Sequence, residues 1–87
     1  MKIVFLRQAH RFIKKADTPL KEKIRAEVLK IADNPKLGGA LGGKLRDLRA
    51  HRFFFMKSQY RIAYQVRNDL IIVSVASREN FYRDLKS

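Results

Sequence analysis

The stretch Gln59-Tyr60-Arg61-Ile62-Ala63-Tyr64-Gln65-Val66 constrains the fold more than any other part of the chain. Tyr60, Ile62, Tyr64 and Val66 alternate with Arg61, Ala63 and Gln65, and a period of two gives a strand with one apolar face and one face toward solvent. The alternation therefore predicts a strand that carries Arg61 on its polar face. A guanidinium fixed on a rigid strand presents a fork of donors suited to two-point capture of a phosphate. The same placement also fits an arginine that is merely solvated.

Charge gives the phosphate reading its weight. The 87 residues include 20 Lys and Arg against 8 Asp and Glu, a net charge of +12, and such a field favours a polyanion, of which nucleic acid is the commonest. Residues 1 to 43 carry ten basic and four acidic side chains and residues 44 to 87 carry the same, so the excess belongs to the folded body and not to a tail. An acidic protein or an anionic membrane surface would also answer this charge. The length fits one domain over residues 1–87, and folding a chain of this size buries only about 60 to 65% of its unfolded surface. With no cysteine and two histidines, a thiolate or imidazole metal site is not expected, and the chain reads as one without metal or cofactor. No apolar run approaches the roughly 20 residues that cross a bilayer, and no basic-then-apolar leader opens the chain. A cytoplasmic protein with no membrane partner is expected.

Lys2 to Arg7 reads as a strand buried on both faces at its centre. Ala9, Phe12, Ile13 and Ala16 then recur at helical spacing, with His10, Arg11, Lys14 and Lys15 on the solvated side. Asp17-Thr18-Pro19 ends this helix and starts another, with Thr18 as the expected cap. Leu20, Ile24, Val28, Ile31 and Ala32 form one apolar stripe, while Glu22 and Glu27 fall among the lysines of a mixed ionic outer face. Asn34-Pro35 closes the hairpin.

Residues 36–43 are a Gly-rich connection that, with Lys44, nearly spells a phosphate-binding loop: Gly38, four residues, then Gly43-Lys44. The match fails because Leu45 stands where a Ser or Thr would hold magnesium, and the segment follows a helix instead of a strand. Lys44 to Arg52 reads as a strand entry or helical turn with a basic edge. Phe53-Phe54-Phe55-Met56 follows as an apolar strand, Lys57 to Tyr60 as the turn, and Leu70 to Ala76 as a strand apolar on both faces that belongs mid-sheet. Ser77 is the expected cap of a short tail helix, with Phe81 and Leu85 docking four apart. The fold class is α+β, in the order β-α-α-β-β-β, with the helical hairpin covering one face of a small, mostly antiparallel, curved sheet.

Taken in order, the helical hairpin ending in Asn34-Pro35, the Leu41-Gly42-Gly43-Lys44-Leu45 linker, the Tyr60-Arg61-Ile62-Ala63-Tyr64 strand and Arg78 followed by Tyr82 make the chain resemble the RelE/ParE superfamily of toxins from type II toxin–antitoxin modules. The resemblance covers essentially the whole chain. It implies one of two activities that the fold does not separate. The RelE-like branch cleaves messenger RNA on the ribosome, with ribosomal RNA contacts, and inhibits translation. The ParE-like branch poisons DNA gyrase without cutting.

For the endonuclease branch the resemblance implies metal-free chemistry: a 2′-hydroxyl attacks the adjacent phosphorus, a base takes its proton, cations hold the developing charge and an acid protonates the leaving 5′-oxygen. Arg61 and Arg78 match the family's arginines and are the implied phosphate clamp; Tyr82 matches its C-terminal tyrosine, a stacking or proton-transfer group. Strongly active RelE-type enzymes carry two lysines, one residue apart, on the preceding strand. Here Arg52 and Phe54 stand there. A guanidinium does not shuttle protons, so Arg52 is assigned an electrostatic role and the neighbouring His51 becomes the candidate general base. Ser77 stands where many relatives have a basic or histidine residue, and with the lysine pair absent this leaves a catalytically weak RNA-binding toxin homologue as a further alternative. Lys44, Arg46, Arg49 and Lys57 are assigned to steering the RNA backbone, contacts that position without reading sequence. Tyr60, Tyr64 and the three phenylalanines are assigned to the core over a stacking platform, since their alternation places most of them inward. A toxin of this charge also implies a cognate acidic antitoxin as partner.

Overall fold

The computed structural model describes residues 1–86, except for the side chains of Asp84 and Lys86. Its elements run β1 (Ile3–Phe5), α1 (Arg7–Lys15), α2 (Thr18–Asp33), β2 (Gly39–Ala40), β3 (Arg49–Phe55), β4 (Ser58–Arg67), β5 (Asp69–Ser77) and α3 (Phe81–Lys86), with a 3-10 turn at Gly43–Leu45 before β3. Five strands form one sheet in the order β1-β5-β4-β3-β2. Only β1 against β5 is parallel; the other pairs are antiparallel. This is the expected α+β plan, with one addition. The Gly-rich connection contributes β2, a two-residue edge strand paired to Ala50 and Arg49.

The alternation in β4 decides which side of the sheet is covered. Ile62 and Tyr64 are fully buried beneath the hairpin with Phe53 of β3 and Leu70, Ile72 and Val75 of β5, and the stripe Ile24, Val28, Ile31 of α2 with Ala9 of α1 closes over them. Burying side chains of this size is worth about 1.5 to 3 kcal/mol each, so this layer supplies most of the driving force. Phe53 stacks on Tyr60 at 5.4 Å between ring centroids, and Phe12 of α1 meets Tyr60 edge-on at 6.3 Å. Tyr64 does more than fill space. Its hydroxyl donates to the Pro35 carbonyl at 2.7 Å and accepts from the Gly38 backbone N–H at 2.8 Å, which pins the exit of α2 to the sheet. A Cβ at Gly38 would lie 2.8 Å from the Ala50 carbonyl oxygen and 2.9 Å from the Tyr64 ring, so glycine is required there by space alone.

Several local expectations change. The first strand is short and lies at the sheet edge, and Phe5 is exposed there in an open groove that it lines with Ile13, Ile24 and Val28 of the hairpin. Where β1 ends, the Gln8 side chain takes over: its amide N–H donates to the Val75 carbonyl at 3.0 Å and its amide oxygen accepts from the Val75 N–H at 2.9 Å. Asp17, not Thr18, caps α2, its carboxylate accepting from the Leu20 N–H at 3.0 Å. Strand β3 starts at Arg49, and its turn to β4 is Met56-Lys57, both at positive φ (51° and 70°), the twist a two-residue hairpin needs. Ser77 does not cap α3, which starts four residues later; its carbonyl instead accepts from the Asn80 N–H. The face opposite the hairpin is partly covered as well. There α3 lays Phe81 over Ala63 and Ala76, two small residues that leave room for the ring.

Candidate nucleic-acid interface

Register brings the cations together. Arg52 of β3 lies directly opposite Arg61 of β4, and residues opposite each other in an antiparallel pair share a face. That face is the one the hairpin leaves open. Like charges placed directly opposite destabilise a sheet, and among the described residues neither guanidinium is paired with a carboxylate. The two line a hollow of about 270 Å³ together with Gly39, Ala40, Leu41 and Ala50. Two cations beside small residues of β2 and β3 make a lining that admits an anion.

Arg61 is held in place. Its guanidinium carbon lies 5.6 Å from the Phe81 ring centroid and 5.9 Å from that of Tyr82, and these two rings meet edge-on at 5.0 Å. Cation–π contacts of this kind are worth about 0.5 to 2 kcal/mol; here they restrain a long side chain that would otherwise sample many rotamers. Arg61 Nε is buried with no hydrogen-bond partner. Tyr82 is 46% exposed, so the ring that touches Arg61 also faces solvent.

The other candidates separate. Arg78 follows β5 and is exposed; its backbone N–H donates to the Gln59 carbonyl at 2.9 Å, which sets it beside β4 two residues from Arg61, but it does not line the hollow. Lys44 and Arg46 lie exposed at the 3-10 turn, and Lys57 at the exposed tip of the β3–β4 hairpin. Arg49 is not available for steering. It faces the hairpin side, opposite Tyr64, and its Nη1 donates to the Gly38 carbonyl at 2.6 Å.

His51 requires a correction. It pairs with Ile62 across the sheet, which puts it on the covered face with the core and on the opposite side from Arg52 and Arg61. Its Nε2 lies 2.7 Å from Glu27 Oε1. Because a carboxylate only accepts, that ring nitrogen carries the proton. Glu27, expected on the solvated ionic face of α2, is 3% exposed and is bonded also to Lys30 at 2.8 Å and Lys23 at 3.3 Å. Burial pushes its carboxyl pKa up, but hydrogen bonds from Lys30, His51 and Lys23 outweigh that and hold it down to about 2. His51 is thus part of a structural ion cluster that ties α2 to β3. Phe54 is the reverse case: expected in the core, it is 68% exposed on the open face, because it shares the phase of Arg52 and not that of Phe53.

A family model for the ParE-like toxin of type II bacterial toxin–antitoxin systems matches residues 3–86. The chain belongs to this family. The toxin also shares its fold with RelE structures. It is 18% identical to the isolated Escherichia coli RelE toxin, with a TM-score of 0.68, covering 98% of this chain and 95% of that one. For the intact E. coli RelBE toxin–antitoxin complex the values are 18% and 0.68, covering 86% and 93%. For the Mycobacterium tuberculosis RelBE2 toxin–antitoxin complex they are 21% and 0.60, covering 88% and 90%. No curated protein matches the toxin by sequence. Among the described residues no helix is long and apolar enough to cross a membrane, and no three His, Cys, Asp or Glu side chains converge as metal ligands.

Proposed function

We propose that this toxin is a RelE-like endoribonuclease that cleaves messenger RNA on the ribosome and so inhibits translation. The observation that carries the reading is the cross-strand pair Arg52–Arg61, unpaired with any carboxylate among the described residues and lining one hollow. Two guanidiniums on one rigid pair of strands can grip the scissile phosphate and hold the charge that develops as the 2′-hydroxyl attacks phosphorus. Tyr82, in contact with Arg61 and half in solvent, is the group placed to stack on a flanking base or to relay a proton. Arg78, exposed beside Gln59, is a third cation, which would complete the phosphate clamp from outside the hollow. Exposed Lys44, Arg46 and Lys57 would meet the RNA backbone or ribosomal RNA. The partner in the cell is a cognate acidic antitoxin that covers the arginine face or displaces α3; in support, two of the structures sharing this fold are toxin–antitoxin complexes.

A second reading, a ParE-like poison of DNA gyrase that cuts nothing, is favoured by one specific observation. Neither histidine lies on the open face, since His51 faces the hairpin and His10 sits on α1. Primer extension on translated messages after induction, beside an Arg61→Ala variant, separates the two. Breaks in messages that fall by about 10² to 10³ in the variant carry the first reading. Intact messages with DNA-damage signalling carry the second.

A further inference from the structure

We propose that Phe54 and Gln59 form a nucleotide subsite beside the arginine pair, in which an unstacked base lies on the Phe54 ring. The inference rests on the RNA reading above and deepens it. Phe54 stands two residues from Arg52 on the same face of β3, about 7 Å along the strand, and directly opposite Gln59 of β4. The ring is 68% exposed in the middle of a paired strand. A lone exposed phenylalanine needs no explanation; this one has company that does. Gln59 Oε1 is buried without a partner, as is Arg61 Nε two residues along β4 on the same face.

An orphan acceptor, an orphan donor and an open aromatic ring thus adjoin one another on a strongly cationic face. A nucleotide answers all three. Its phosphate lies on the Arg52 and Arg61 guanidiniums that line the hollow, its base stacks on Phe54, and the buried Arg61 Nε and Gln59 Oε1 gain partners as their side chains turn outward to the phosphate and to a hydroxyl or amino group of the sugar or base. Unpaired bases stacked on aromatic side chains are the common mode of single-strand RNA recognition. An acidic protein would meet the arginines with carboxylates and the ring with a separate side chain, whereas a nucleotide carries the anion, the polar groups and the π-face in one unit of the right span. Arg52 and Arg61 then hold the backbone while Phe54 fixes the neighbouring base, so the scissile link lies between two anchored points.

The test uses a single-stranded RNA of about ten nucleotides and an abasic strand of equal length and phosphate count, titrated by fluorescence anisotropy at several salt concentrations. The toxin should bind the base-bearing strand more tightly than the abasic one. Phe54→Ala should weaken the base-bearing complex about tenfold, leave the abasic complex and the salt slope unchanged, and leave thermal stability intact. Phe54→Tyr should restore binding. Equal binding of the base-bearing strand by the wild-type protein and Phe54→Ala overturns the subsite while leaving the RNA reading standing, as does Phe54→Tyr that binds as weakly as Phe54→Ala. Loss of antitoxin affinity alone in Phe54→Ala assigns the ring to a protein contact and overturns it too. Failure of the wild-type protein to bind either strand overturns the RNA reading and the subsite together.

Discussion

Glu27 and His51 meet at 2.7 Å between α2 and β3, on the face of the sheet that points away from Arg61. This contact removes the only histidine near the arginines from their side of the sheet, and makes it a structural group.

The pair predicts an acid-sensitive fold. The folded Glu27 titrates at about 2 against an ordinary value of 4.5, so its ionised form is favoured by folding. A group whose folded value is depressed contributes stability that is present above its unfolded value and is lost as pH falls through its folded one. The contribution, about 3 kcal/mol, should be complete above pH 4.5 and should disappear between pH 4.5 and 2. In thermal melts Glu27→Gln should lie well below the wild type at pH 7 and converge with it near pH 2. A constant gap would show that Glu27 does not titrate in that window.

His51→Ala should lower the melting temperature while leaving the proposed message cleavage per folded molecule unchanged. If cleavage instead falls as far as in Arg61→Ala, His51 reaches the chemistry by a route that this sheet does not provide.

The phase of β3 explains what was legible beforehand. Arg61 could be assigned to a face because β4 alternates cleanly between apolar and polar residues. In β3 the run Arg49-Ala50-His51-Arg52-Phe53-Phe54-Phe55 mixes cations and aromatics on both faces, so hydropathy alone gives no phase, and the steering role of Arg49, the general-base role of His51 and a core place for Phe54 each need the face that the residue does not occupy. The signal lay in pairing. Once Arg52 is set opposite Arg61, period two puts Arg49, His51, Phe53 and Phe55 inward and Ala50, Arg52 and Phe54 outward. Glu27 was obscured for a related reason: its lysine neighbours at i−4 and i+3 look like a solvated ionic face, and only the tertiary contact with His51 shows that the carboxylate is buried.

Arg52 should act through phosphate. Arg52→Ala is expected to weaken binding to single-stranded RNA across sequences and to reduce the salt slope of log affinity by about 0.7, the share of one single-strand phosphate contact. An unchanged slope would place Arg52 outside the contact.

Tyr64→Phe removes one hydroxyl that serves two backbone groups. It should cost about 1 to 3 kcal/mol because the Gly38 N–H is left buried and unpaired, read as a lower denaturation midpoint with an unchanged slope. Gly38→Ala should be destabilised as well, since its new methyl meets backbone and ring closer than real contacts allow.

The β3–β4 turn invites stabilisation. Met56 and Lys57 both occupy a left-handed conformation that favours glycine and asparagine. Lys57→Gly should add about 0.5 to 1 kcal/mol, raising the melting temperature by several degrees. If Lys57 also meets RNA, the same variant should bind more weakly at low salt.

Gln8 gives the first helix a strand's attachment, two bonds from one amide to the N–H and C=O of Val75, continuing the ladder that Ile3, Val4 and Phe5 begin on β5. A tug on Met1 is therefore transmitted to the middle of the protein and not to its rim. Detaching the leading segment means shearing a row of backbone bonds all at once, where a peripheral helix would have peeled off.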